Sequence, residues 1–498
     1  MPPYPPEAMR HLASPWGAGA MEDPDAVGES GSASCGDLVR VALRIAGRRV
    51  REARFQAFGC GAATAAASAA CARLHGATLD VALRLSAGAI DADLGGLGPE
   101  RRHGPDLVED AVARALEAWF SARVGETGIP LSGRRVAVAM SGGVDSAVAA
   151  MVLRDAGYEV VGVTMRLWHD PSAAAAERSC CSPETVRLAR AGAHALGLPH
   201  LTLDVAERFR AGVVEDFVTG YREGRTPNPC VACNGRVRFG VLADAAALLG
   251  ARMLATGHYA RIRRDPSGAP LVCRAADPGK DQSYMLAMLD RAHRERLVFP
   301  LGDLRKDDVR AMARAAALPA ADAVESQEVC FVGEGGHVPF LERTGGLSGA
   351  PGPIEDAAGR LLGTHRGHWR FTVGQRRGIG LAGPQPLYVL ATDAARNAVV
   401  VGTREELATD AVELAGARVH GELGDDPLEV RLRYRGRPLR GRARSTPGGL
   451  RIELQDSADG VAPGQTAALY RDGHLVAAGT IAPSPTTTDP HGRTSGLV

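Results

Sequence analysis

Two stretches of this chain bring together residue types that do chemistry. The first, Val136 to Ser146 (VAVAMSGGVDS), ends an alternation of Val and Ala in a Gly-Gly turn and runs on with helical spacing to Leu153. A strand, tight loop and helix in that order make an anion site. N–H groups at Gly142 and Gly143 point into the turn, the helix N-terminus adds its positive end, and the Ser141 and Ser146 hydroxyls can donate to phosphate oxygens. The Gly-Lys-Ser/Thr ending of a Walker A loop is absent. The second stretch, Gly224 to Phe239 (GRTPNPCVACNGRVRF), uses Pro227 and Pro229 to stiffen an extended loop that presents Cys230 and Cys233 on one short turn. Such a Cys-x-x-Cys fits a redox pair, a zinc half-site or cluster ligands. A further thiol, Cys330, stands in ESQEVCFVG.

The elements that must position these residues read as an alternation. Strands are expected at Glu159–Met165, His200–Val205 and Arg252–Thr256, with helices at Pro183–Leu196 and Arg238–Leu249. That order implies an α/β doubly wound parallel sheet, with ligands at the carboxyl ends of its strands. Nucleotide is expected there, with Met165 on the adenine rim and Gly257 and His258 of ATGHYAR on another strand-end loop. Asp145 is the natural Mg²⁺ partner, because that ion prefers carboxylate and phosphate oxygens.

Ahead of this unit, Val39–Ile45 and Val50–Ala57 alternate as strands and Thr64–Leu74 is a small-residue helix, a compact α+β module. Behind it, short strands separated by Gly and Pro turns point to a small β-barrel. Arginines 431, 433, 435 and 437 would line one face of a strand there, as a phosphate-contact surface or as a solvated strand face. The expected division is 1–125 for the front module, 126–133 for a linker, 134–335 for the catalytic domain, 336–420 for a connecting domain and 421–498 for the barrel.

SGGVDS resembles the PP-loop of ATP pyrophosphatases. Together with NPCVACN, ATGHYAR, KDQSYML and ESQEVCFVG it makes residues 134–485 similar to the tRNA-specific 2-thiouridylase (MnmA/TrmU) family. The resemblance implies ATP held by Ala139, Met140, Ser141, Gly142, Gly143, Val144, Asp145, Ser146, Met165 and Gly257. It implies Cys233 as nucleophile and Cys330 as persulfide carrier, with ATP adenylating O2 of the wobble uridine of tRNAs for Glu, Gln and Lys. The same resemblance implies tRNA contacts at Asn228, Pro229, Cys230, His258, Lys280, Asp281, Gln282, Arg433, Tyr434 and Gln465. Cys230 stands where many members carry Asp. With three thiols present, a 4Fe–4S cluster on Cys230, Cys233 and Cys330 is a second route for the sulfur. An iron–sulfur carrier that merely binds ATP, or an amide-forming synthetase, are the competing readings.

The front module, with CGD around Cys35 and Asp37 and FQAFGC around Cys60, looks like an IscU/NifU-type iron–sulfur scaffold domain. His103 is kept, but Gly104 stands where that family places its third thiol. Cys35, Asp37, Cys60 and His103 could bind a metal ion or a weak cluster, the module could dock the sulfur donor, a cysteine desulfurase or persulfide relay, or it could be a relic of the scaffold. Cys71 and Cys273 read as core, and the adjacent Cys180 and Cys181 as without ligand function.

Composition sets the background. A formal charge of +1 over 498 residues leaves RNA contact to local patches. Nine cysteines without a signal segment fit reduced thiols, and no apolar run reaches the roughly 18 residues a membrane span needs, so a cytoplasmic protein is expected. Of 58 cationic residues only Lys280 and Lys306 are lysines. Lys280, in GKDQ, suggests a compact ammonium beside phosphate or RNA backbone. Lys306 reads as part of a mixed-charge helix start.

Overall fold

Alternating apolar residues build the front module's antiparallel sheet, Ala26–Gly31, Leu38–Ala46 and Arg49–Phe58 in that order. The computed structural model describes residues 4–32, 36–126, 128–168, 182–322, 329–333, 335–381 and 385–483, so Cys35, Cys180 and Cys181 lie outside the described residues. One sheet face is covered by helices Gly61–Leu74 and His103–Ser121. Small residues allow the contact: a Cβ on Gly28 would stand 2.0 Å from the Ala111 carbonyl oxygen of the longer helix. Cys71 is fully buried here, as expected of a core thiol.

The catalytic domain holds a five-stranded parallel sheet in the order Leu297–Val298, Ala251–Thr256, Ser132–Ala139, Glu159–Arg166, His200–Asp204. Its buried strands are near-continuous Val, Ala and Leu, as a sheet covered on both faces requires. Strand order reverses at Ser132–Ala139, which places the crevice at the end of that strand, where SGGVDS begins.

A four-stranded sheet over Gly352–Gly402 follows, then a six-stranded barrel. The barrel closes because Ala408–Val419 pairs with both Gly449–Asp459 and His474–Ile481. Its first strand therefore begins at Ala408, ahead of the boundary expected at 421. The catalytic domain's hairpin Ala260–Arg264 and Pro270–Arg274 extends the barrel sheet through Cys273 opposite His474, burying that thiol.

The arginine stripe is corrected. The strand Leu428–Arg431 stops at its first arginine, and Arg433, Arg435 and Arg437 lie on the following turn, exposed. Gly436 and Pro438 account for this, since proline removes a ladder donor and glycine weakens strand pairing.

The front module docks on the sheet edge through buried charge. Arg190, 8% exposed, reaches Glu109 at 3.0 Å and Asp110 at 2.7 Å, and His194 lies 3.3 Å from Glu109. Arg135 grips Asp80 through both guanidinium nitrogens at 2.8 and 2.6 Å. Among the described residues no helix is long and apolar enough to cross a membrane.

Candidate active site

The PP-loop is shaped by glycine. Gly142 has φ +75°, and a Cβ there would stand 2.6 Å from the Thr185 carbonyl oxygen. The Ser141 N–H donates to Ser146 Oγ at 3.1 Å, and Ser146 Oγ donates to the Gly143 carbonyl at 3.0 Å, closing the turn. The helix then starts at Val144, directing its first-turn N–H groups toward the crevice. A Gly-Gly turn, two hydroxyls and a helix N-terminus are a donor set that fits polyphosphate.

Asp145 is not an open ligand. Its two carboxylate oxygens accept from the Lys306 ammonium at 2.7 and 2.8 Å, and Oδ1 also accepts from the Tyr259 hydroxyl at 2.9 Å. A Mg²⁺ ion at this carboxylate would compete with the ammonium, so the donor set is not a ready-made Mg²⁺ site. Lys306 is 5% exposed at the first position of helix Lys306–Ala315. It is more than part of a mixed-charge helix start, and its rarity as a lysine was the signal that could have found it. Gly257 meets the loop by packing: a Cβ there would stand 2.8 Å from the Asp145 carbonyl carbon and the Ser146 nitrogen. Met165, at the carboxyl end of the neighbouring strand, is half-buried.

The cysteine loop is helical rather than a simple turn. Pro229–Ala232 is a short helix that continues through a π-helical segment, Cys233–Arg238, into helix Phe239–Leu248. Asn228 caps it, accepting the Val231 N–H at 3.2 Å. Cys233 is 5% exposed, and the partly buried Cys330 precedes Phe331, whose ring meets Phe209, Phe217 and Phe340. Cys230, three residues before Cys233 on the same turn, is partly exposed and close enough to Tyr434 to raise its pKa, behind burial as the main cause.

The KDQSYML segment ties the two halves together. The Tyr259 N–H donates to Gln282 Oε1 at 2.9 Å, the Gln282 N–H returns to the Tyr259 carbonyl, and the Tyr284 hydroxyl donates to the Thr466 carbonyl of the barrel at 2.7 Å. Asn234 Nδ2 donates to the Met285 carbonyl at 3.0 Å. Asp281 is buried, accepting from the Ala275 N–H and from the Ser283 hydroxyl, which also pairs with Tyr470 of the barrel. Gln465 Nε2 donates to the Thr226 carbonyl at 2.9 Å, so the barrel clamps the cysteine loop. Tyr434 lies on Tyr284 with ring centroids 6.0 Å apart and the Arg435 guanidinium 5.7 Å from its own ring. Lys280 is partly exposed, Pro229 is buried, and Arg433 is exposed on the turn beside Tyr434. Burial, with Arg238 nearby, pushes His258 down to about 3, so its ring is neutral, paired with Thr256 Oγ1 at 2.7 Å.

A second constellation lies in the front module. Cys60 Sγ is 3.2 Å from His103 Nε2, which is 3.1 Å from Asp37 Oδ2, and the three ligand atoms all lie within 4.8 Å of one another. Burial first, then Asp37, raises the Cys60 thiol pKa. One thiolate, one imidazole and one carboxylate suit a borderline divalent ion such as Zn²⁺. The third-thiol position is closed by packing, because a Cβ on Gly104 would stand 2.8 Å from the Ala62 carbonyl. This triad and the PP-loop sit at opposite ends of the sheet. The Asp204 N–H, at the carboxyl end of the edge strand, donates to Ser121 Oγ at 3.2 Å, whereas the His200 N–H at its amino end donates to the Leu83 carbonyl. His103 opens the helix that Ser121 closes, about 27 Å away at 1.5 Å per residue.

Comparison with known proteins matches each part. Residues 3–126 fit the NifU-like N terminal domain, 134–334 the tRNA methyl transferase HUP domain, 339–403 the tRNA methyl transferase PRC-barrel domain and 417–481 the aminomethyltransferase beta-barrel domain. The chain is 44% identical over 488 residues to the bifunctional protein NifU/MnmA of Rubrobacter xylanophilus, covering 96% of this chain and 98% of that one. It is 46% identical to the tRNA-specific 2-thiouridylase MnmA of Acidothermus cellulolyticus over 70% of this chain and 97% of that one. The corresponding protein of Chloroflexus aggregans is 44% identical over 70% and 98%.

Proposed function

The chain belongs to the tRNA-specific 2-thiouridylase family, in the form that carries a NifU-like domain at its front, and from that premise we propose how its residues exchange oxygen for sulfur on the wobble uridine of tRNA. The observation that carries the reading is the link from Asp145 through Tyr259 and Gln282 to the segment ending at Met285, whose carbonyl accepts from Asn234, which joins the PP-loop to the helix of Cys230 and Cys233. Methyl transfer would leave both the PP-loop and the thiols without a task.

ATP's phosphates lie against Ser141, Gly142, Gly143 and the start of the helix at Val144, with Ser146 bracing the turn and the strand end at Ala139 and Met140 beneath. Met165 borders the adenine. Uridine O2 attacks the α-phosphate, pyrophosphate departs with the bonding pair, and the N3 proton is lost, leaving C2 activated by an AMP leaving group. A persulfide on Cys330 adds its terminal sulfur to C2 as AMP leaves. The Cys233 thiolate then attacks Cys330 Sγ, the S–S bond to the transferred sulfur breaks, and 2-thiouridine is released with a Cys233–Cys330 disulfide that an external dithiol reduces. Tyr434, Arg433 and Lys280 receive the anticodon, tRNAs for Glu, Gln and Lys being the substrates. His258, neutral, can hydrogen-bond the base without adding charge. Gln465, Asn228 and Asp281 act by holding the loops rather than by touching RNA. Mg²⁺ accompanies the nucleotide, and no step here runs through it.

Cys230 supports a second reading. It lies at i and Cys233 at i+3 of one helical turn, so both thiols share a face, and with Cys330 they could ligate three irons of a 4Fe–4S cluster. Anaerobic assays separate the two. Thiolation by iron-free enzyme given only a persulfide donor establishes the Cys330 route; activity that tracks iron content and needs only sulfide establishes the cluster. In the front module Asp37, Cys60 and His103 would hold a metal ion at the point where a cysteine desulfurase or persulfide relay delivers sulfur. Cys60→Ser should spare thiolation with a small-molecule persulfide donor and slow it when sulfur comes from a desulfurase.

A further inference from the structure

We propose that Lys306 is a positioning residue of the adenylating half-site: it fixes the Asp145 carboxylate at the PP-loop and supplies the positive charge that the loop itself lacks. SGGVDS holds pyrophosphate with N–H groups and hydroxyls, and the charged side chain it contains, Asp145, is an anion. Beside the Mg²⁺ that accompanies the nucleotide, a cation from elsewhere in the chain can balance the charge on a departing pyrophosphate. The Lys306 ammonium contacts both Asp145 oxygens at 2.7 and 2.8 Å, from a residue 161 positions away in sequence. Its surroundings are built for this. The Tyr259 ring centroid lies 5.8 Å from Nζ while the Tyr259 hydroxyl donates to the same carboxylate, and the Lys306 N–H donates to Asp277 Oδ2 at 3.1 Å, which anchors the helix start just before the GKDQ loop.

The choice of lysine is informative. This chain writes 56 of its 58 cationic residues as arginine, yet keeps a lysine here at 5% exposure. A compact ammonium fits between a carboxylate and the Tyr259 ring, and it can turn from one oxygen anion to another without losing the fixed two-pronged geometry that a planar guanidinium requires. In the step it assists, uridine O2 bonds to the α-phosphorus, the bond from that phosphorus to the bridging oxygen breaks, and the electron pair leaves on pyrophosphate as the N3 proton goes to solvent. No oxidant or reductant is required. The ammonium balances the charge that appears on the leaving group, while Asp145 stays held by Tyr259.

The proposal rests on the adenylation reading above, and its test separates the two. Full-length parent and Lys306→Gln protein are assayed for tRNA-dependent pyrophosphate release, for inhibition by added pyrophosphate, and for thermal unfolding. The expected result is a kcat lower by about 10²-fold or more with the KM for ATP changed only a few-fold, pyrophosphate inhibition weakened in parallel, and an unfolding midpoint close to the parent's. A purely structural lysine would shift the midpoint and leave pyrophosphate inhibition of the folded fraction intact. A kcat within threefold of the parent overturns the proposal, as does undiminished pyrophosphate inhibition. If the parent itself releases no pyrophosphate with tRNA, the adenylation reading fails instead, and the proposal with it. Should Lys306→Gln not fold, Lys306→Arg is read in its place: slowed release with pyrophosphate inhibition retained supports the positional requirement, and an unchanged kcat refutes it.

Discussion

Replacing Arg190 by Ala should undock the front module without unfolding the catalytic domain. The Arg190 side chain is 9% exposed and its partners Glu109 and Asp110 are 16% and 12% exposed, so the substitution strands two carboxylates in a largely dry interface. Removing one partner of a buried pair costs about 3–5 kcal/mol. His194 beside Glu109 and Arg114 beside Asp110 remain to soften the loss, which places the effect near the low end, about 3 kcal/mol. That shifts the docked-to-undocked ratio by roughly a hundredfold. Arg187 provides the contrast: it is 62% exposed and 3.6 Å from the same Asp110, so Arg187→Ala should cost under about 1 kcal/mol. Hydrogen exchange along His103–Ser121, together with proteolysis in the 126–131 connection, reads the difference. Equal protection in the two variants would refute the assignment of the docking energy to the buried pair.

Acid should act on the same interface. Burial opposes ionisation of Glu109 and Asp110, but hydrogen bonds and charge from His194 and Arg190 outweigh it and hold both pKa values below the usual carboxylate range. Their contribution is thus complete above the unfolded value and is lost as pH falls through the folded one, so undocking monitored by hydrogen exchange should set in only below about pH 4. Gly257→Ala should cut ATP-dependent pyrophosphate release severely while leaving the barrel intact, because the new Cβ would stand 2.8 Å from PP-loop backbone that cannot move aside cheaply. Cys273→Ala should keep tRNA thiolation at parent level, since that thiol is buried and pushed up to about 11 by burial, whereas Cys330→Ser should abolish it. Because the Cys60 triad faces away from the PP-loop end of the sheet, a mixture of Cys60→Ser and Cys330→Ser chains should raise desulfurase-supplied thiolation above the slowed rate of Cys60→Ser alone, Cys330→Ser itself showing none; a mixture that stays at the sum of its parts would contradict supply between molecules.

The catalytic core was legible because its signals are local. Val-Ala alternation ending in Gly-Gly defines the strand and loop at Ser132–Val144, and the alternating elements after it define the sheet order. Cys71 and Cys273 were legible as core from their apolar neighbours. Asp145 and Lys306 were not paired in advance, since residues so distant are joined only by how helix Lys306–Ala315 packs on the loop helix. The arginine face was misread because side-chain periodicity was followed past Gly436 and Pro438, where backbone constraints end the strand. The docking network of Arg190 looks in sequence like any charged helix surface, and only the partner surface buries it.

The most direct test incubates the full chain with unmodified tRNA, ATP and a persulfide donor, and follows AMP and pyrophosphate release beside nucleoside mass spectrometry. One 2-thiouridine at the wobble position per AMP formed, lost in Asp145→Ala and Cys330→Ser, is the predicted result. Sulfur incorporation without ATP, or ATP cleavage that leaves the uridine unmodified while iron–sulfur transfer proceeds, would contradict it.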